Sequence, residues 1–445
     1  MNVALVGYAV ENQAVYRYYA KKGVSLTICD QNPDIALPEG VQGSLGEGYL
    51  DNLDRFDQIV RSVGIHPSVI LDKNPSVGPK ITTAISLFFE DCKTPIIGVT
   101  GTKGKGTTST LIHQILQAAG KKSVLAGNIG TPMLDVLDEA AGCDYVVLEL
   151  SSFQLYDAGA SPHIAVCLMV VPEHLNWHSD LADYTRAKAN MFRYQNSDDV
   201  AVFNAFNSLS SQIAATSPAS SKLTYAVPAI GEHVISLCTT YVEGDTIYTR
   251  KQPVMNISEI KLPGRHNLEN VCAAIAATWD LIGGNAEAVR QAVTQFSGLE
   301  YRLQTIRELG GVKYVNDSFS TTPETAIAAI KAYAAPKILI LGGSDKGIPF
   351  DDLANAVVGG NVKTVLAIGE RGPAIAQLLQ KRGFTNFLTA NLDTMEAVVR
   401  KAYSLSEPGD VVLLSTGCAS FGMFKDYKDR GTQFNQFVLA LPEAV

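Results

Sequence analysis

The sequence lacks an excess of basic residues, and it contains no run of lysines and arginines. Its 36 lysines and arginines are outnumbered by 44 aspartates and glutamates, which gives a formal net charge of −8 at pH 7. Nucleic acids and anionic membrane surfaces bind basic patches, so neither is expected as a primary partner. The longest apolar run, Ile164 to Val171, is far shorter than the roughly 20 residues of a membrane helix. We therefore expect no membrane insertion.

Cysteines are few, scattered and odd in number. The seven are never spaced as C-x-x-C, which indicates reduced, mostly buried thiols in a cytoplasm and argues against a zinc site. The first residues, MNVALVGYAVENQ, lack a basic leader and a small-residue cleavage site, so we interpret them as a first strand and not as a signal peptide. The expected location is cytoplasmic.

Short β-branched segments alternate with helical patterns along the chain, as is typical of parallel sheets with crossover helices. The length and this order predict an α/β protein of three units, 1–92, 93–296 and 297–445. Several predicted strands end in glycine or a small polar turn. Ligands of open α/β sheets bind at the carboxyl ends of the strands, so these turns are the candidate sites.

The segment GVTGTKGKGTTST, Gly98 to Thr110, predicts a phosphate-binding loop. It joins an apolar strand to a helical pattern, and its small residues would let backbone N–H groups approach phosphate oxygens. Lys105 would reach the outer phosphates. Compared with G-x-x-x-x-G-K-[ST], Val99 replaces the first glycine and Gly106 replaces the hydroxyl residue, so Thr107 would supply the hydroxyl for Mg²⁺. The alternative is an ordinary glycine turn.

Other segments carry weaker signals. The turn at Gly7 follows a strand and Asp30 ends the next one, but two glycines of G-x-G-x-x-G are missing, so a nicotinamide-dependent oxidoreductase is weakly supported and an ordinary turn remains open. Glu149 ends an apolar strand and would bind Mg²⁺ or cap a turn. By spacing alone, a structural histidine is the better interpretation of His174 and a solvated lysine that of Lys188, and functional roles are the alternative.

Eight ordered segments resemble the Mur ligases, ATP-dependent amide-forming enzymes of peptidoglycan precursor synthesis. The segments are GVTGTKGKGTT, AGNIGTP, LELSSFQL, EHLNWH with YTRAK, LPGRHNLENVCAA, YVNDSFSTTPE, ILGGSDKG and LLSTGCASFGMFKDYKDRG. The resemblance covers the whole chain. It implies a Rossmann-like N-terminal domain for a UDP-linked substrate, a central P-loop ATPase domain and a Rossmann-like C-terminal domain for an amino acid. ATP and two Mg²⁺ ions are the implied cofactors, and a monomer is expected.

The resemblance also implies roles for residues at matching positions. Lys105, His174 and Lys188 would be catalytic, and Lys188 matches the family's carbamylated lysine. The implied metal ligands are Thr107, Glu149, His174 and Lys188. The implied ATP-binding residues are Gly101, Thr102, Lys103, Gly104, Lys105, Gly106, Thr107, Thr108, Asn267, Asn270, Arg302 and Asp317. The implied substrate contacts are Val10, Glu11, Asp30 and Gln31 for the uridine diphosphate, Asn128 for the muramoyl group, Ser152, and Thr321, Lys346, Ser420 and Tyr427 for the amino acid.

The implied activity is ATP-dependent joining of D-glutamate to UDP-N-acetylmuramoyl-L-alanine through an acyl phosphate. The alternatives are another Mur ligase, a folylpolyglutamate synthase-like ligase, and a binding protein that hydrolyses ATP without forming a bond. The 97 residues before Gly98 favour the Mur ligases, because the synthases have this loop near the chain start. The sequence departs from the family at Gly106, at Phe319 (DSFST for DSKAT), and in STGCAS and SVGI, where SPACAS and SPGI are common.

Overall fold

The computed structural model describes residues 1–128, 130–228, 238–262, 264–344 and 349–443. The chain divides into two compact units, Met1–Phe296 and Ser297–Val445. The first unit contains two sheets and the second unit contains one. Helices accompany parallel strands in every sheet, which confirms the predicted α/β class. The division into three functional domains stays a prediction.

The first sheet has five parallel strands in the order β3-β2-β1-β4-β5. This order reproduces the first five strands of the doubly wound order 3-2-1-4-5-6, in which the ligand crevice lies at the carboxyl ends of the strands. The strands are β1 (Asn2–Val6), β2 (Ser25–Asp30), β3 (Gln42–Leu45), β4 (Gln58–Arg61) and β5 (Ile81–Thr82), and the helices are α1 (Val10–Lys21), α2 (Pro67–Leu71) and α3 (Ala84–Asp91).

The second sheet has nine strands in the order β14-β13-β12-β11-β10-β9-β6-β8-β7. The strands are β6 (Ile96–Thr100), β7 (Ser123–Gly127), β8 (Tyr145–Glu149), β9 (Ile164–Cys167), β10 (Val200–Asn204), β11 (Ser221–Ala226), β12 (Thr240–Glu243), β13 (Thr246–Thr249) and β14 (Gln252–Asn256). The helices are α4 (Lys105–Ala118), α5 (Leu137–Ala140), α6 (Ser152–Leu155), α7 (Leu181–Arg193), α8 (Ser208–Ala214), α9 (Arg265–Thr278) and α10 (Ala286–Gln295).

The last strands of this sheet differ from the all-parallel prediction. β12, β13 and β14 pair in antiparallel fashion. Gly244, with φ +57°, lies in the short turn between β12 and β13, and glycine favours this left-handed conformation in hairpins. The residues EGD between two β-rich segments were the available signal for this hairpin.

The third sheet lies in the second unit and has the order β15-β16-β20-β17-β18-β19. The strands are β15 (Gln304–Leu309), β16 (Val312–Asn316), β17 (Lys337–Gly342), β18 (Val362–Ile368), β19 (Phe387–Leu388) and β20 (Val411–Leu414), and the helices are α11 (Pro323–Ala332), α12 (Asp351–Gly359), α13 (Gly372–Lys381), α14 (Met395–Leu405) and α15 (Tyr427–Leu439). β15 is antiparallel to β16, and the other strands are parallel.

Three further features concern the whole of the described chain. Short 3₁₀ helices occur at Leu53–Arg55, Pro75–Lys80, Met133–Val136 and Ile257–Glu259. In the part of the chain that the structure describes, no helix is both long enough and apolar enough to cross a membrane. None of the seven cysteines forms a disulfide, as the sequence predicts.

Candidate active site

The predicted phosphate loop lies between β6 and α4, at the carboxyl end of an interior strand of the second sheet. β6 ends at Thr100 and α4 begins at Lys105. Gly101 (φ +151°) and Gly104 (φ +88°) have backbone conformations that residues with a Cβ rarely adopt. A Cβ at Gly104 would lie 2.2 Å from Oδ1 of Asn270. The loop therefore requires glycine at 104, and Asn270, a predicted ATP-binding residue, packs directly against it.

Two lysine amines meet at this loop. Nζ of Lys105 lies 3.1 Å from the carbonyl oxygen of Gly101 and 3.2 Å from that of Thr102. Nζ of Lys188, on α7, lies 3.0 Å from the same Gly101 oxygen, and the residue is 1% exposed. Burial, and secondarily the charge of Lys105, lower the pKa of Lys188 to about 7. The loop therefore holds an amine whose neutral form is accessible near pH 7.

Glu149 lies on the strand next to the loop. It ends β8, which pairs with β6 so that Glu149 is opposite Val99. The residue is 5% exposed, and its Oε1 accepts a hydrogen bond of 2.7 Å from Nδ2 of Asn128. The backbone N–H of Asn128 also donates to the carbonyl of Glu149 at 2.9 Å. The structure thus brings together a predicted metal ligand and a predicted substrate contact.

His174 lies between β9 and α7 and has a left-handed backbone, with φ +58°. Its Nε2 is 3.7 Å from Oε2 of Glu173, and Glu173 also accepts a hydrogen bond from Nζ of Lys103. Burial lowers the pKa of His174, the charge of Glu173 opposes this shift, and the charges of Lys105 and Lys188 reinforce it. The neutral imidazole that results is the form that binds metals.

The threonine hydroxyls of the loop differ in their surroundings. Oγ1 of Thr102 is 2.9 Å from the hydroxyl of Tyr184 and donates to the carbonyl of Val171 at 3.0 Å. Thr107 is half-buried in the first turn of α4. Oγ1 of Thr108 is buried without a hydrogen-bond partner among the described residues. A ligand oxygen or an ion at the loop would satisfy such a group.

The remaining central-domain ATP candidates lie on α9. Nδ2 of Asn270 donates to Oδ1 of Asn267 at 3.3 Å, and Asn270 is 6% exposed. Because Asn270 also faces Gly104, this helix joins the phosphate loop to the two asparagines that the sequence singled out.

The predicted uridine diphosphate contacts lie at the carboxyl end of the first sheet. Asp30 ends β2 and accepts backbone hydrogen bonds from Tyr8 (2.7 Å) and Asn32 (2.9 Å). The carboxylate of Glu11 accepts a hydrogen bond from Nε2 of Gln154, and burial raises the pKa of Glu11. Val10 and Gln31 are exposed. The four residues therefore lie near one edge, with Asp30 shaping its own loop.

The predicted contacts in the second unit surround the turn after β16. The carboxylate of Asp317 accepts hydrogen bonds from the backbone of Leu303 (3.1 Å) and from the hydroxyls of Ser415 (2.7 Å) and Ser320. Burial raises the pKa of Asp317 to about 6. Phe319, two residues further along, exposes 39% of its surface.

Phe319 joins two of the predicted residues. The guanidinium carbon of Arg302 is 5.6 Å from the centroid of its ring. The ring of Tyr427 meets it edge-on with the centroids 5.4 Å apart. Thr321 is half-buried and Ser420 is buried, whereas Lys346 lies outside the described residues.

The chain matches the models of the Mur ligase middle domain over residues 99–278 and of the Mur ligase glutamate ligase domain over residues 301–418. A UDP-N-acetylmuramoylalanine–D-glutamate ligase of Symbiobacterium thermophilum is 39% identical over 98% of each chain. The chain belongs to the Mur ligase family. An enzyme of the same name from Geobacillus kaustophilus is 38% identical over 97% of this chain and 96% of its own.

Solved structures show that this Mur ligase shares the family fold. The crystal structure of the UDP-N-acetylmuramate–alanine ligase MurC of Thermotoga maritima superimposes with a TM-score of 0.57 at 17% identity, covering 99% of both chains. The MurF ligase of the same organism, solved in complex with ADP, gives a TM-score of 0.54 at 15% identity, covering 98% of this chain and 94% of that one.

The acidic and imidazole side chains predicted to bind Mg²⁺ in this Mur ligase are too few to hold the ion by themselves. Within the described residues, no group of three or more His, Cys, Asp and Glu side chains could hold a metal ion. Glu149, His174 and Thr107 offer a carboxylate, an imidazole and a hydroxyl. Mg²⁺ prefers oxygen ligands and is usually shared with substrate phosphates. The residues therefore fit Mg²⁺ if phosphate oxygens and a carboxylated Lys188 complete the set.

Three residues of this Mur ligase were not among the predicted site residues. Tyr184 contacts Thr102, and its ring centroid is 4.7 Å from Nζ of Lys188. Its position four residues before Lys188 puts both on one helix face, which was a usable signal. Glu173 binds Lys103, as described above. Arg430 is fully buried and donates to the hydroxyl (2.9 Å) and carbonyl (2.8 Å) of Ser318, a contact that no sequence pattern indicated.

Proposed function

We propose that this chain is an ATP-dependent ligase that joins the carboxylate of UDP-N-acetylmuramoyl-L-alanine to the amino group of D-glutamate in peptidoglycan precursor synthesis. The observation that carries the proposal is the full-length similarity, at 39% and 35% identity, to two proteins named UDP-N-acetylmuramoylalanine–D-glutamate ligase. The glycine loop with two converging lysines supports the ATP-dependent part of the reaction.

In the proposed reaction, a substrate carboxylate oxygen attacks the γ-phosphorus of ATP and ADP leaves, which gives an acyl phosphate. The amine of D-glutamate then attacks the acyl carbon, loses a proton, and inorganic phosphate leaves. Phosphate is a far better leaving group than oxide, and this difference makes the amide accessible at neutral pH. Backbone N–H groups of Gly101–Lys105 and the amine of Lys105 would orient the phosphates.

Lys188 has a distinct role in this proposal. Its neutral amine would attack CO₂, forming an N–C bond and releasing one proton. The side chain would then end in a carboxylate and no longer in an amine. Thr107, Glu149, His174 and the carboxylated Lys188 would hold Mg²⁺, two ions in all. When bound, Mg²⁺ offsets the charge that develops on the transferred phosphoryl group.

The remaining roles are assigned by position. Asn267, Asn270, Arg302 and Asp317 would contact ATP, and Asn128 would contact the muramoyl substrate while orienting Glu149. Thr321, Ser420, Tyr427 and Lys346 would bind D-glutamate. The first sheet would hold the uridine diphosphate through Val10, Glu11, Asp30 and Gln31. We also infer a cytoplasmic monomer. Seven cysteines without a disulfide support a reducing compartment, and light scattering tests the oligomeric state.

A three-substrate assay tests the proposal. The purified protein is incubated with ATP, Mg²⁺, UDP-N-acetylmuramoyl-L-alanine and D-glutamate, and ADP release is measured with each component omitted in turn. The proposal predicts ADP release that requires both other substrates, together with a product heavier by one glutamyl residue in mass spectrometry. ADP release that is indifferent to them would instead identify an ATPase that forms no bond.

Parallel reactions separate the alternative ligases. L-Glutamate, L-lysine and diaminopimelate replace D-glutamate in three of them, because another Mur ligase would prefer a different amino acid. A fourth contains a reduced folate with L-glutamate, the substrates of a folylpolyglutamate synthase-like enzyme. Product formation with any of these, and none with D-glutamate, would contradict the proposed specificity.

A further inference from the structure

His178 connects two elements of the candidate active site through its two ring nitrogens. Nε2 is 3.0 Å from the hydroxyl of Ser152, the first residue of α6. Nδ1 is 3.2 Å from Oδ2 of Asp183, in the first turn of α7. The residue is 1% exposed, and its ring packs against those of Trp177 and Tyr184, with centroids 4.7 and 5.2 Å away. A polar ring in such surroundings needs both hydrogen bonds.

The partners fix the direction of both hydrogen bonds. An ionised carboxylate can only accept, so Nδ1 of His178 carries the proton and donates to Asp183. In the neutral ring Nε2 then accepts, and the hydroxyl of Ser152 must donate. Asp183 is held in place from its other side by Arg186, which donates to Oδ1. The result is a hydrogen-bond chain in which Ser152 donates to His178 and His178 donates to Asp183.

This chain links the segments that carry three of the four predicted metal ligands, Glu149, His174 and Lys188. Ser152 follows Glu149 by three residues, and Asp183 precedes Lys188 by five. The backbone N–H of His178 donates to the carbonyl of His174 at 3.0 Å. His174 itself has a left-handed backbone, a conformation that persists where surrounding contacts hold it. His178 therefore contacts, directly or through one neighbour, the segments of Glu149, His174 and Lys188.

We propose that His178 is a positioning residue that fixes the segments of Glu149, His174 and Lys188 relative to one another, and thereby sets metal affinity and phosphoryl transfer. The inference rests on the proposed function for its effect on catalysis. Residues that hold metal ligands in place through hydrogen bonds typically change metal affinity about 10- to 100-fold when they are replaced.

The test compares His178→Phe with two other variants. Phenylalanine keeps the aromatic packing and loses both hydrogen bonds. Ser152→Ala removes one hydrogen bond and creates little strain, so it keeps the proposal testable if His178→Phe does not fold. His113→Phe is the matched control, because Nδ1 of His113 pairs with the hydroxyl of Ser123 at 2.8 Å in a half-buried position on α4, and neither residue belongs to the three segments.

Two readouts are measured on each variant that circular dichroism shows to be folded. The first is Mn²⁺ affinity in the presence of ADP, by electron paramagnetic resonance, which needs no turnover. The second is a pair of kinetic constants, kcat and the KM for D-glutamate, which are compared separately with those of the wild type. For His178→Phe we expect Mn²⁺ affinity to fall about tenfold or more, kcat to fall with it, and the KM for D-glutamate to stay within twofold. Ser152→Ala should shift both in the same direction but less.

The outcomes separate this inference from the proposed function. If folded His178→Phe and Ser152→Ala bind Mn²⁺ with the same affinity as the wild type, the positioning role is overturned. Equal losses in His113→Phe overturn it as well, since the effect would then be a general one of losing a His–Ser pair. A wild-type chain that binds Mn²⁺ but forms no amide contradicts the proposed function alone, and the affinities of the variants still decide the role of His178.

Discussion

Nζ of Lys188 lies 3.0 Å from the carbonyl oxygen of Gly101, inside the turn that carries the phosphate loop. Lys105 donates to the same oxygen at 3.1 Å, so two amines share one acceptor. The structure shows no carboxylate within salt-bridge distance of Lys188 among the described residues. Burial and this neighbouring charge explain the low pKa of Lys188, and a neutral amine can react with CO₂ whereas an ammonium cannot.

Carboxylation of Lys188 should depend on pH in a defined direction. Because the pKa of Lys188 is about 7, the neutral fraction rises from about one-tenth at pH 6 to about nine-tenths at pH 8. We expect a carbamate signal in ¹³C NMR under ¹³CO₂ that grows over this interval. Lys188→Ala should abolish the signal and lower kcat more than about 100-fold, and a small carboxylate such as acetate should partly restore activity.

Lys337→Ala is the matched control for this experiment. Lys337 is also fully buried, its Nζ donates to the carbonyl of Ala335 at 2.8 Å, and burial lowers its pKa. It lies on β17 in the second unit, so its loss should leave the carbamate signal unchanged. A signal that disappears in Lys337→Ala and survives in Lys188→Ala would refute the assignment, as would full activity of folded Lys188→Ala.

Gly104→Ala should weaken nucleotide binding beyond the cost of its backbone strain. The new Cβ would lie 2.2 Å from Oδ1 of Asn270, so either the loop or a predicted ATP-binding side chain must move. We expect ADP affinity, measured by calorimetry, to fall at least about tenfold, equivalent to about 1.4 kcal/mol.

The control for Gly104→Ala is Gly120→Ala, at the end of the same helix. Gly120 has a similar backbone, with φ +77°, but no atom lies within 4 Å of a Cβ built there. Both variants carry the left-handed strain of about 1 kcal/mol, and only the first adds a steric clash. Equal ADP affinities of the two variants would show that the contact with Asn270 does not govern binding.

Phe319 should act through Arg302, whose guanidinium it faces at 5.6 Å. A cation–π pair of this exposure contributes about 0.5–1 kcal/mol, so Phe319→Leu should raise the KM for ATP about two- to fivefold. Phe319→Tyr keeps the ring and serves as the control, with an expected KM close to that of the wild type. Steady-state kinetics decide the matter, and an unchanged KM in Phe319→Leu would remove Phe319 from the ATP site.

Much of the fold was predictable because its signals are local. An apolar strand, a glycine turn and a helical pattern follow one another at the phosphate loop, and strand ends such as Glu149 mark the binding edge of a parallel sheet. The antiparallel strands β12–β14 and β15 were missed, since pairing direction depends on partners that are distant in sequence and the hairpin signals are only a few residues long.

In the site, too, contacts between residues close in sequence were predictable, and contacts between residues distant in sequence were not. The pair Tyr184 and Lys188 could be derived from helix periodicity. The hydrogen bond between Ser152 and His178 could not, because it joins residues 26 positions apart on elements whose packing is decided by the whole sheet. The buried state that lowers the pKa of Lys188 likewise depends on tertiary packing, and no sequence pattern reports it.

Asp317 should make the protein less stable as pH rises from about 4 to 6. Burial raises its pKa from 3.8 to about 6, so in this interval the folded state keeps a proton that the unfolded state has lost, and folding is favoured at the lower pH. The effect is a few kcal/mol at most, since each pH unit between the two pKa values is worth about 1.4 kcal/mol.

Urea unfolding of wild type and Asp317→Asn at pH 4.5, 5.5 and 6.5 measures this loss of stability. We expect the free energy of unfolding of the wild type to fall relative to that of the variant across the series, because asparagine does not titrate. If the free energy of unfolding of the wild type instead stays constant or rises relative to that of Asp317→Asn, the carboxylate is ionised in the folded protein. The hydrogen bonds from Ser320 and Ser415 would then outweigh its burial.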